Sequence, residues 1–259
     1  MSDLALAVRQ IKFENRTFWR NPASAMFAFV FPIMFMVIFN LIFGTSKYSP
    51  FGRGATVSDF YTPALMAFSI ITACYTNIAM GVVFARESGI LKRLRGTPLP
   101  PWVYLFARIA VSVMVGALLC VIIGAFGRVF YSVRLPGLRT LPALVVALVV
   151  GAATFCAIGL AITGFVPNVD AAPAVVNASI FPLLFISDVF IPIQHTGVLT
   201  TVASIFPIKH LSHAVITAYN PLTKGSGFEG KDLAIMGAWG MAAILFALRN
   251  FRWEPREQT

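Results

Sequence analysis

Long apolar runs, separated by short segments that hold nearly all the charge, leave this chain a lipid bilayer as its natural solvent. The runs Ala23–Phe43, Phe60–Phe84, Trp102–Gly127, Leu141–Val166 and Ala171–Phe190 are almost free of charged side chains. A run of about 18 or more such residues reads as a transmembrane helix. Leu233–Leu248 is shorter, and as a sixth span it would need neighbouring helices, local thinning or snorkelling of Lys231 and Arg249 to cover the mismatch. Only 12% of the residues are charged, against roughly 25% in soluble domains, and the mean hydropathy is +0.81. The expected fold is therefore an all-α integral membrane protein with six transmembrane helices.

The formal net charge of +10 would suggest nucleic acid in a soluble protein. Here the basic residues gather between apolar runs, the pattern that sets topology at the cytoplasmic leaflet, so no nucleic-acid partner is expected. Arg9, Lys12, Arg16 and Arg20 precede the first run, Arg86, Lys92, Arg93 and Arg95 lie between the second and third, and Arg249, Arg252 and Arg256 follow the last. With six spans these three segments share one side, which makes both termini cytoplasmic in a multi-pass protein of the cell membrane. Gly44–Asp59, Arg128–Thr140 and Ile191–Lys231 then lie outside; they carry some positive charge, notably Arg128, Arg134 and Arg139.

Residues 1–22 form a separate amphipathic unit. Leu4, Val8, Ile11, Asn15 and Phe18 follow helical spacing, with the four basic residues on a second stripe. Such a helix suits the membrane interface or packs as a solvated helix on a partner; Asn21-Pro22 ends it. No secretory signal pattern is expected here. Residues 23–259 form the spanning domain. Within it Val198–Phe206 is apolar but too short to cross, which predicts a re-entrant or interfacial segment in the region of about 191–215. Cys74, Cys120 and Cys156 are scattered inside apolar runs and predict neither a disulfide framework nor a zinc site.

The segment from Phe84 to Pro98 carries the densest charge. Phe84, Glu87, Leu91 and Leu94 fall on one helical face, Arg86, Ile90 and Arg93 on another, and Gly96 and Pro98 end the helix. A short amphipathic helix over about 85–97, tied at both ends to spans, can transmit force from a partner; it can equally be an ordinary positive-inside loop.

The stretch RESGILKRLRGTPLPPWVYLFARI resembles the cytoplasmic loop of type-two ABC exporter permeases, especially the daunorubicin-resistance branch. GLAITGFVPNVDAAPAVVNASIFPLLFISDVFIPIQ, followed by IFPIKHLSHAV, resembles that family's short Asn-containing turn, its fifth span and a broken extracellular hairpin. The resemblance implies that the loop helix is a coupling helix seated in an ATPase, with Arg86, Glu87, Leu91, Lys92, Arg93 and Arg95 as contacts. It implies that residues 1–22 are a connecting helix. It implies a working unit of two ABC ATPase subunits and two permeases, either a homodimer or sister chains, in contact with membrane lipid. One departure is Asp188, where the family pattern leads one to expect a small residue such as Gly.

No GxxxxGK[ST] phosphate loop occurs. The chain is thus expected to be a permease and not itself an enzyme. It would bind no cofactor, with ATP and magnesium held by the partner. Asp188 could line a substrate path or pair with Lys209 or His210; at a span's end it is equally an inert, hydrated interface residue. His210 and His213 stand at i, i+3 with His195 nearby, yet no carboxylate is evidently placed to complete a metal site, so none is expected. Phe27, Phe29, Phe31, Phe35 and Phe39 suit lipid-facing or packing roles, with a substrate-lining role open for some. Arg108 is expected to snorkel to the cytoplasmic face or to pair with Glu87. The function these expectations favour is export of an amphipathic drug-like or lipid-like compound by alternating access. Rivals are an ion-coupled secondary transporter, which should place ionisable residues in mid-membrane, a membrane-embedded enzyme, and a structural scaffold.

Overall fold

The computed structural model describes residues 3–44, 55–97, 99–190 and 197–251. Among these every regular element is helical: α1 (Asp3–Trp19), α2 (Pro22–Phe43), α3 (Val57–Ile71) joined by a π-helical turn (Thr72–Thr76) to α4 (Asn77–Glu87), α5 (Ile90–Arg95), α6 (Pro101–Tyr131), α7 (Leu141–Ile162), α8 (Ala172–Phe185), α9 (Val198–Ala203), α10 (Pro207–Tyr219) and α11 (Gly230–Asn250). Among the described residues four stretches are long and apolar enough to cross a membrane: Val57–Glu87, Pro101–Tyr131, Leu141–Ile162 and Gly230–Asn250. Ala28–Phe43 within α2 and Ala172–Phe185 are shorter apolar helices.

The α3–π–α4 span is the axle of the molecule. Every residue of α3 is buried. Its start is fixed by a capping box, in which Thr56 Oγ1 accepts from the Asp59 N–H and Asp59 Oδ2 from the Thr56 N–H. The π turn is where α7 comes closest. A Cβ on Gly159 would stand 2.8 Å from the Tyr75 carbonyl oxygen, so only glycine permits that approach. Gly116 of α6 meets Ile70 and Ala73 on the other side. The wide π turn also turns Tyr75 toward α8, where its hydroxyl meets Ser179 Oγ at 2.5 Å.

Phe31, Phe35 and Phe39 of α2 are packing residues over this axle, while the side chain of Phe27 lies outside the described residues. Phe35 meets Phe190 with centroids 5.1 Å apart, Phe39 stacks on Tyr61 at 4.7 Å, and Phe31 leans on Phe68 at 6.3 Å. Phe29 instead stacks on Trp19 of α1 at 5.5 Å. The face that α1 turns inward is Ala7, Ile11, Glu14 and Phe18, packed on α6 around Val111, Val115 and Leu119. Leu4 and Val8 stay exposed, as do all four basic residues.

Two expected boundaries move. α11 has 21 residues, about 31 Å at the helical rise, so it matches a hydrocarbon core of about 30 Å without the thinning that a 233–248 span would need. Asp232 in its first turn and Arg249 in its last complement the helix dipole and lengthen it at both ends. α8 ends at Phe185, short of the expected Phe190, because Asp188 takes a left-handed backbone (φ 59°). Val189 and Phe190 then fold back into the core. Asp188, which departs from the small residue of the family pattern, thus holds a positive φ that Asp tolerates better than most side chains.

Between α8 and α11 lie the short helix α9 and the longer α10. The α9–α10 turn sits beside Trp239, whose Nε1–H donates to the Ile205 carbonyl at 2.8 Å, roughly 13 Å along α11 from Gly230. α10 is buried against α3, α7 and α11, with Leu211 filling the space over Gly151 of α7. His195 and the rest of 191–196 lie outside the described residues.

Candidate functional site

The connection expected as one helix over about 85–97 is an elbow of two. α4 ends at Glu87, and the Ser88 and Gly89 N–H groups turn back to the carbonyls of Phe84 and Arg86, each at 3.0 Å. Gly89 adopts φ 71°, a left-handed helix stop that glycine takes without a Cβ penalty. α5 then restarts, its Arg93 N–H bonded to the Gly89 carbonyl at 3.1 Å. The break resets the helical phase, so the stripe of Phe84, Glu87, Leu91 and Leu94 does not persist: Phe84 is exposed while Leu91 is wholly buried.

The elbow sorts the expected contact residues into two groups. Lys92, Arg93 and Arg95 are exposed on α5. Arg86 points inward and is only 2% exposed. Its Nη1–H donates to the Thr163 carbonyl at 2.9 Å and its Nη2–H to the Val166 carbonyl at 2.7 Å. The first belongs to the C-cap of α7, where carbonyls lack helical partners and a cation is favoured, and the second to the link that follows. Its Nε–H donates to Glu87 Oε1 at 2.6 Å. Glu87 therefore belongs to Arg86; Arg108 lies instead 3.5 Å from Glu14 of α1.

A second polar group gathers where α10 meets the start of α11. Asp232 is buried and stands between two histidines, its Oδ1 at 2.6 Å from His210 Nδ1 and its Oδ2 at 2.6 Å from His213 Nδ1. His210 Nε2 faces the Ser204 carbonyl at 2.8 Å. A carbonyl only accepts, so Nε2–H is the donor in that contact. The pKa of His213 is raised, first by its hydrogen bond to Asp232, against partial burial, and then by the charges of Asp232, Glu229 and Asp188.

Of the residues expected on a substrate path, His210 is engaged by Asp232 and Ser204, and Lys209 Nζ–H donates to the Thr200 carbonyl at 3.5 Å. Carboxylates that the sequence spacing did not place beside these histidines do stand there in the fold. His213, Glu229 and Asp232 bring one ligand atom each within 4.8 Å of one another, a set able to take a divalent cation in place of the existing hydrogen bonds. Asp232 and Glu14 escaped the sequence reading because their partners lie on other helices. The usable signal was an acid in the first turn of an apolar helix, with an i, i+3 histidine pair upstream.

Packed apolar helices, with charge gathered on α1, at the elbow and toward helix ends, define an integral membrane protein. Residues 5–219 match the ABC-2 type transporter family, and the chain belongs to that family. It is similar as well to a Porphyra purpurea protein that bears the provisional name transport permease ycf38, with 28% identity over 81 residues. That match covers 31% of this chain and 28% of the relative's length.

Proposed function

We propose that this chain is the transmembrane subunit of an ATP-driven ABC exporter that moves an amphipathic drug-like or lipid-like substrate out of the cell by alternating access. ATP and magnesium are held by a separate ATPase in two copies, and a second permease, identical or a sister chain, completes the pathway. The carrying observation is the elbow. α5 presents Lys92, Arg93 and Arg95 outward, while Leu91 is buried in the core and the Arg86 clamp on Thr163 and Val166 binds the same elbow to the C-cap of α7 and the link beyond it. A push on α5 must then move α4, α6 and the α7–α8 link together.

Six spans fit the chain when α2, 22 residues long and about 33 Å, and α8 with its folded-back end are counted. The position of the α9–α10 turn beside Trp239 supports a re-entrant hairpin after the fifth span. Basic clustering supports cytoplasmic termini and a cytoplasmic elbow, and α1 serves as the interfacial connecting helix.

The test is transport and ATP hydrolysis in vesicles reconstituted with the ATPase encoded beside this chain. Replacing residues 90–95 by a Gly-Ser linker should abolish both transport and substrate-stimulated hydrolysis; native rates would refute the exporter reading. A proton-coupled carrier is favoured only by the buried Asp232–His210 pair, and transport driven by a pH gradient without the ATPase would establish it.

A further inference from the structure

A polar cleft of about 250 Å³ opens between α1, α4 and α6, lined by Glu14, Thr17, Asn77, Gly81, Arg108 and Ser112. A second, mostly apolar cleft of about 290 Å³ shares Phe18 and Asn77 with it and continues past Ala28, Ala73, Val115 and Leu119. We infer that this continuous groove holds one phosphatidylethanolamine molecule of the inner leaflet, its phosphate on Arg108, its ammonium on Glu14 and an acyl chain along the π turn. The inference rests on the topology given above for α1 and the elbow, and goes beyond it in naming a lipid and its seat.

Three observations carry it. The first is a charge pair that is set but not closed. Arg108 Nε and Glu14 Oε2 stand 3.5 Å apart, yet the buried Nε–H has no hydrogen-bond partner. Glu14 is itself buried, with its other oxygen accepting from Gln10 Nε2 at 3.2 Å. A buried charge-bearing donor left unmet is costly. The guanidinium is 19% exposed to the cleft, where a phosphate oxygen would reach it through a charge-assisted bond and could draw the strained pair into register, but an anion alone would then face the Glu14 carboxylate. A head group with both charges matches the pair.

The second is the seat of the guanidinium. It lies against Gly81, where a Cβ would fall 1.8 Å from Nη1, and its carbon stands 5.5 Å from the Tyr104 ring centroid. The absent side chain at Gly81 makes the room. The third is the order of polarity. From Arg108 to Leu119 along α6 is roughly 16 Å, about half of a 30 Å hydrocarbon core, and the lining passes from charged through Asn77 and Ser112, bonded at 3.1 Å, to apolar. That is the profile of one lipid in one leaflet.

The test uses the full chain in detergent, with dioleoyl phosphatidylethanolamine, phosphatidylglycerol or phosphatidylcholine added and retained lipid counted by native mass spectrometry. One phosphatidylethanolamine should be held roughly tenfold more tightly than either other lipid, the worth of one charge-assisted contact. Phosphatidylcholine cannot donate a hydrogen bond to Glu14, and phosphatidylglycerol brings no cation. Glu14→Gln should erase the preference. Gly81→Ala keeps both charges and a good helix former but displaces the guanidinium, and should weaken retention by a similar factor in a protein of unchanged thermal stability. Soluble phosphoethanolamine at equal concentration should not displace the lipid. Equal retention of the three lipids, retention unchanged in both variants, or displacement by the soluble head group would each overturn the assignment. Retention needs neither nucleotide nor ATPase, so a chain that keeps this lipid yet fails to transport refutes the exporter reading alone.

Discussion

The guanidinium of Arg86, at the end of α4, meets the main-chain carbonyl of Thr163 at 2.9 Å, 77 residues further along the chain. The Val166 carbonyl is held by the same group, so one buried cation ties the second predicted span to the link between the fourth and fifth. A basic residue that counts toward topology in the sequence is, in the fold, an internal strut.

Arg86→Ala should therefore be a stability variant. It strands two buried carbonyls and the Glu87 carboxylate, a loss of about 2–5 kcal/mol, visible as a lower midpoint in thermal or denaturant unfolding in detergent. Glu87→Ala leaves both carbonyl bonds in place, so its unfolding midpoint should move far less while transport with the partner ATPase falls. Equal midpoints for Arg86→Ala and the native chain would refute the strut.

The outward face of α5 predicts the reverse signature. Lys92, Arg93 and Arg95 are exposed, and reversing all three to Glu should change stability by no more than about 0.5 kcal/mol per site while abolishing substrate-stimulated ATP hydrolysis in reconstituted vesicles. Leu91 is wholly buried; Leu91→Ala should cost about 2–4 kcal/mol before any effect on coupling is read. Native stimulation in the triple reversal would remove α5 from the coupling contact.

Gly159 tests the packing of the axle. Gly159→Ala pushes a methyl to 2.8 Å from the Tyr75 carbonyl oxygen, and backbone cannot swing aside as a side chain can. A loss of about 1–3 kcal/mol is expected, together with weakened contact between Tyr75 and Ser179, measured by cross-linking of cysteines placed at the two positions. Unchanged stability would mean that the π turn relaxes freely.

What the sequence reveals here is whatever depends on nearby residues. The apolar runs locate α6 and α7 within a few residues because bilayer burial needs only continuous hydrophobicity. Asp188 stands where the family pattern has a small residue, and its positive φ of 59° is a backbone angle glycine takes freely; the residue itself carries no local sign of it. The elbow is not legible as two helices, since a helical stripe can be drawn straight through Gly89 until its φ of 71° breaks the phase. Glu14 and Asp232 are invisible as site residues because each finds its partner on another helix. Phe31, Phe35 and Phe39 look alike for lipid or core, and only the placement of Phe68, Tyr61 and Phe190 decides for the core.

The junction of α10 with α11 should loosen in alkali. The pKa of His213 is raised by its bond to Asp232, with Glu229 and Asp188 adding to the pull. A group whose folded pKa lies above its unfolded value of about 6.5 contributes its full stabilisation below that value and loses it as pH rises through the folded pKa. The side chain is 54% exposed, so solvent screens the effect and keeps it modest. The window begins above about pH 6.5, where Asp232 keeps its charge but His213 gives up its proton. Amide-exchange protection factors for α10 and the first turn of α11, compared at acid and alkaline pH after correction for intrinsic rates, should fall with rising pH. His213→Gln should flatten that dependence while leaving the His210–Asp232 bond in place. A protection profile that rises with pH, or one that His213→Gln leaves unchanged, would show that the junction does not respond to this proton.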